Sequence, residues 1–131
     1  MGDLAMAKTY RGSKEYLLVY AELIRAAQYR GTVTYQEIAE TANLPLTGSY
    51  MAAQTGILIG EISEDEVKAG RPMLSAITVS VTIGRPGPGF FAWAKELGRL
   101  SEDAKPEDEI SYWEAERKAV YETWKKPLHK G

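Results

Sequence analysis

The sequence predicts an α+β domain built from a helix-turn-helix unit, a small antiparallel sheet and a C-terminal helix. Three observations carry that expectation. Thr34 and Glu37 have the spacing of a capping box, and Thr47 offers a second N-cap once Pro45 has stopped the first helix. Residues 73–83 alternate as a half-buried strand does. Ile110, Trp113, Val120 and Trp124 then form an apolar stripe at helical spacing near the end of the chain.

Taken in order, residues 1–12 are expected to form a flexible arm. Ser13 caps a helix expected to run to about Tyr29, with Gly31 as a stop signal and Leu17, Tyr20, Ile24 and Ala27 on its inner face. Thr34–Leu58 is the helix-turn-helix unit: Ile38, Ala39 and Ala42 line the first helix, and Met51, Thr55 and Leu58 the second. Ser63 and Glu66 form a further capping box, opening a short acidic helix that Gly70 ends. The strand 73–83 is expected to present Met73, Ser75, Ile77, Val79, Val81 and Ile83 to the core. A wing-like loop of glycine and proline follows at 84–89, then a short helix from Phe90 to Leu97. The C-terminal helix 106–126 starts at Pro106 with Glu107, Asp108 and Glu109 in its first turn, where they complement the helix dipole. Residues 127–131 form a tail. Residues 13–126 are thus expected to make a single winged-helix-like domain.

Composition narrows the chemistry. The chain has no cysteine, which removes thiol nucleophiles, thiolate metal sites and disulfides together. Its single histidine, His129, lies in the tail, so histidine triads and multi-histidine metal sites are not expected. No apolar run approaches the ~18 residues of a membrane span, and a cytoplasmic protein without membrane contact or cofactor is the economical expectation. Net charge is -2, with no Lys or Arg between Thr32 and Val67. Nucleic-acid binders draw most of their affinity from phosphate neutralisation, so this gap weighs against such a role.

The second helix of the unit is the first candidate for function. In DNA-binding versions its early residues meet base edges, which here are Thr47, Ser49, Tyr50 and Gln54. Thr, Ser and Gln can read bases and Tyr can contact phosphate. The alternative is a helix pair used as scaffold or protein contact. Arg85 opens the 84–89 loop and would suit a wing near a minor groove, against the plainer reading of a stiff turn. Glu61, Glu64, Asp65 and Glu66 read as a solvated acidic face, since they match no metal-loop spacing.

The segment Thr32-Val33-Thr34-Tyr35-Gln36-Glu37-Ile38-Ala39 resembles the V-T-T-Y-G-E-I-A type motif of O6-alkylguanine-DNA alkyltransferases and alkyltransferase-like proteins. Arg71-Pro72-Met73-Leu74-Ser75-Ala76 and the loop Gly84 to Gly89 occupy places similar to that family's Pro-led strand and glycine-rich loop. The resemblance spans about residues 15–98. It implies a DNA-binding winged-helix architecture, with Tyr35 as a phosphate contact beside a flipped nucleotide. The family's Pro-Cys-His-Arg core, or Pro-Trp-His-Arg in its non-enzymatic branch, has no counterpart, and Met73, Leu74 and Ser75 stand in its place. The recognition-helix arginine is also missing, and without cysteine alkyl transfer is excluded. The resulting expectation is a non-enzymatic DNA-binding or DNA-associated protein acting on double-stranded DNA through Tyr35, Thr47, Ser49, Tyr50, Gln54 and Arg85, with no catalytic or metal residue. The alternative is a protein-protein interaction module, with a small homodimer as one form of it, using exposed aromatics such as Tyr112, Tyr121 or Trp124.

Overall fold

The computed structural model describes residues 9–46 and 48–126. Five α-helices and one two-stranded sheet make up its regular structure: α1 (Lys14–Gln28), β1 (Val33–Thr34), α2 (Tyr35–Thr41), α3 (Gly48–Lys68), β2 (Thr78–Val79), α4 (Pro88–Glu96) and α5 (Pro106–Trp124). A 3₁₀ turn, Leu74–Ile77, sits directly before β2.

Local chemistry sets the helix ends. The Ser13 hydroxyl oxygen accepts from the Tyr16 N–H at 3.1 Å. Thr34 and Glu37 form the reciprocal capping box, at 3.1 Å and 2.8 Å. Asn43 closes α2 in the left-handed region at φ 57°, which lets the Leu44 N–H return to the Ala39 carbonyl at 2.7 Å. Gly70 does the same for α3 at φ 81°.

The expected winged-helix-like α+β fold with an antiparallel sheet is not what forms. The structure is mainly helical, and its sheet is a two-residue parallel ladder pairing Val33 with Thr78 and Thr34 with Val79. The expected strand 73–83 fails for two reasons. Every residue from Met73 to Val79 is buried, so the alternation in sequence does not separate a wet face from a dry one. Beyond Val79 the chain curls: the Gly84 N–H donates to the Ser80 carbonyl at 2.7 Å, Gly84 takes φ 75°, and Val81 and Ile83 face solvent. Among the described residues no later strand pairs with β2, so residues 84–87 are a connection into α4 and not the tip of a hairpin.

Three further expectations are corrected. The second helix does not stop near Leu58 but continues to Lys68, absorbing the separate helix expected from Ser63. Ser63 and Glu66 do not cap anything: Ser63 faces Ser75 with 2.6 Å between the hydroxyls, and Glu66 receives Arg71 at 2.8 Å and the Tyr20 hydroxyl. On α1 the buried residues are Tyr16, Val19, Leu23, Ala26 and Ala27; of the expected set Ala27 is buried, Tyr20 and Ile24 are partly buried against the core, and Leu17 is exposed.

Residues 9–12 of the expected flexible arm are anchored. Tyr10 is buried and donates its N–H to Glu61 at 2.8 Å, while Arg11 pairs with Asp65 at 3.0 Å and also meets Glu61 and Glu64. Residues 1–8 and the tail 127–131, with His129, lie outside the described residues. The C-terminal helix ends at Trp124, two residues short of the expected 126. It packs on the 3₁₀ turn: the Trp113 indole N–H donates to the Ala76 carbonyl at 2.9 Å, and Glu116 accepts the Met73 N–H at 2.8 Å. No helix among the described residues is long and apolar enough to cross a membrane.

Candidate functional site: an uncharged pocket beside Tyr35

The parallel ladder sets the position of Tyr35. It holds the start of α2 against β2, so Tyr35 meets the loop that leaves β2. The Tyr35 oxygen accepts the Gly87 N–H at 2.7 Å. Burial raises the phenol pKa and the Gly87 N–H lowers it, with a net upward shift that keeps the hydroxyl neutral. Gly87 then caps α4, with Pro88 as its first residue, and this turns Phe90 inward.

Between Tyr35, the outer face of α3 and the start of α4 lies a cavity of about 310 Å³. Along α3 it is lined by Met51, Thr55 and Ile59 with the small residues Ala52, Gly56 and Gly60. Pro88, Gly89, Phe90 and Trp93 form the opposite wall, and Ser75 contributes from the 3₁₀ turn.

Two glycines shape it. A Cβ at Gly60 would lie 2.4 Å from the Trp93 ring, so only glycine lets the indole come this close to the α3 backbone. A Cβ at Gly56 meets nothing within 4 Å, so that position holds the cavity open. The hydroxyls on the wall are committed: Thr55 donates to the Met51 carbonyl at 2.8 Å, and Ser75 is paired with Ser63. None of the lining residues is charged.

Of the residues expected to form a site, Tyr35 alone lines this pocket. Thr47 lies outside the described residues. Ser49 and Tyr50 are exposed on the first turn of α3, and Gln54 is half-buried and accepts the Tyr10 hydroxyl. Arg85 is exposed and borders another depression with Ile83, Pro86 and Ile110, which meets the pocket at Pro88. The structure therefore leaves Arg85, Ser49 and Tyr50 outside the pocket. Arg11 adds no free positive charge, since three carboxylates of α3 surround it.

The aromatics expected to be exposed are also occupied. Tyr112, Tyr121 and Trp124 pack against the core; the Tyr121 hydroxyl donates to the Gly31 carbonyl at 2.8 Å, and Trp124 lies under the Arg71 guanidinium. Of the other lining residues, Gly56 and Ile59 have no role in the sequence reading, which assigns Met51, Phe90 and Trp93 to packing. One signal was present in the sequence: Ala52, Gly56 and Gly60 recur every fourth residue, marking a stripe of small side chains along one helix face.

No group of three or more His, Asp or Glu among the described residues is arranged to hold a metal ion. No family model, curated protein or solved structure matches the chain.

Proposed function

We propose that this protein is a non-enzymatic protein-interaction module that receives an uncharged side chain of a partner in the pocket between α3 and α4. The observation that carries this reading is the pocket's composition: it is concave and apolar, and no charged group lines it. The exposed start of α3, Gly48 to Ala53, is equally free of charge. A binding surface whose centre is apolar and depleted of charge is what protein interfaces present.

A second reading keeps the expectation of a non-enzymatic DNA-associated protein. Tyr35, Ser75 and Pro88-Gly89 come from the three segments that carry the alkyltransferase-like resemblance, and they border one pocket. That convergence supports a base-accepting role. Electrostatics favours the first reading, because phosphate contacts need cations, none lines the pocket or the exposed start of α3, and Arg11 is neutralised by its own chain.

One NMR titration separates the two. With N-acetyl amides of tryptophan, phenylalanine and leucine, shifts are expected at Tyr35, Gly56, Gly89 and the Trp93 indole. With duplex DNA at low salt, none is expected at tens of micromolar. Silence at those four positions with every amide would overturn the partner-protein reading. Duplex binding in the ~10⁻⁴–10⁻⁶ M range of non-specific DNA binders, with shifts at Ser49 and Tyr50, would install the second reading. Light scattering then tells whether the partner is another copy of this chain.

A further inference from the structure

Resting on that partner-protein reading, we propose that the partner segment carries an aromatic anchor followed on one side by Lys or Arg. Two features of the pocket's surroundings lead there. The first is the make-up of its walls. Tyr35, Phe90 and Trp93 supply three aromatic rings, and Gly56 leaves open space on the same pocket's wall. Rings favour offset or edge-to-face contact with other rings, so an aromatic side chain gains more here than an aliphatic one.

The second is a one-sided field. Trp93 is shared with an adjoining depression that also contains Ala92, Glu64 and Glu96. Through Ala92 and Glu96 this runs on into a further one bordered by Lys95, Glu102 and Glu109. Glu64 shares Arg11 with Glu61 and Asp65, and Lys95 pairs with Glu109 at 3.2 Å. Glu96 and Glu102 are exposed and have no ion pair among the described residues. The strip leading away from Trp93 therefore carries two unmatched carboxylates, whereas the pocket's other flank, Gly48 to Ala53, carries no charge. A peptide anchored by its ring would place basic residues along the strip and uncharged ones over α3. The same carboxylates repel phosphate, which sets this partner apart from a nucleic acid.

The test is selection of a random-sequence peptide library displayed on phage against the full chain, followed by titration of the enriched peptides as synthetic molecules. Enriched sequences are expected to combine Trp, Phe or Tyr with Lys or Arg on one side. Gly56→Leu, which fills the open position, and the double reversal Glu96→Lys with Glu102→Lys are each expected to weaken binding by about tenfold or more. Circular dichroism shows whether each variant is folded, and the reversal lies wholly on the surface.

Aromatic peptides enriched without regard to charge, bound normally by the double reversal and lost in Gly56→Leu, would overturn the proposal while leaving the partner-protein reading standing. Enriched peptides that bind Gly56→Leu as well as the native chain would overturn both, as would an absence of enrichment.

Discussion

The two halves of α3 have opposite characters on one continuous helix. From Gly48 to Ile57 it carries no charged residue, much of it is exposed, and its small residues line a cavity. From Leu58 to Glu66 it holds four carboxylates, yet Glu61, Ser63 and Glu66 are buried. The polar half is the structural one. Its carboxylates gather Tyr10, Arg11, Tyr16, Tyr20 and Arg71 from three parts of the chain. The apolar half is the one left facing outward. Charge in a sequence thus marks the interior anchor here, and its absence marks the surface available for binding.

The largest expected effect tests the anchor. Arg71→Ala leaves the Glu66 carboxylate, whose side chain is fully buried, without its cation, and should lower stability by about 3–5 kcal/mol in denaturant unfolding. A loss under about 1 kcal/mol would break the contrast between the halves.

Gly60→Ala comes next. It lies at the boundary and drives a methyl group into Trp93, at a cost of about 1–3 kcal/mol with altered indole fluorescence. Ser63→Ala should cost about as much, roughly 1–3 kcal/mol, because the buried Ser75 N–H and hydroxyl lose their partner.

A smaller effect appears with pH. Burial works to raise the Asp65 pKa, but hydrogen bonds from Arg11 and Tyr16 outweigh it and hold the carboxyl below its ordinary value. A carboxyl depressed in the folded state stabilises it above the unfolded pKa, and that contribution is lost as pH falls through the folded value. Stability should therefore decline below about pH 4, and less steeply in Asp65→Asn. Equal slopes in the two proteins would remove Asp65 from the clamp.

The smallest effects belong to the outward half. Ser49→Ala and Tyr50→Ala should change stability by no more than about 0.5 kcal/mol, and Gly56→Ala should raise it by up to about 1 kcal/mol through helix propensity. A large loss at any of the three would mean that this half also supports the fold.

Local rules were the legible part of the sequence. Ser13, the Thr34–Glu37 pair, Asn43 and Pro106 sit at helix ends because capping depends on a few adjacent residues. What failed depended on distant partners. Ser63 and Glu66 have the spacing of a cap, but the residues that claim them, Ser75, Tyr20 and Arg71, come from other elements or from beyond the helix end. Residues 73–79 alternate as a strand would, but they are enclosed on all sides, so period two carried no directional meaning. Tyr35 was singled out by its motif, whereas Gly56 and Trp93 acquire a role only when α3 and α4 meet.

The two-residue ladder between β1 and β2 has a consequence for when the pocket comes into being. Helices form locally and fast, but this ladder joins segments separated by all of α2 and α3, and pairing across such a span is slow. Tyr35 directly follows β1 and meets Gly87 beyond β2, so its contact is expected to wait for that pairing. The pocket is therefore expected to assemble late in folding and to open early in unfolding, with the Gly87 amide exchanging its hydrogen sooner than the amides of the Leu58–Glu66 half.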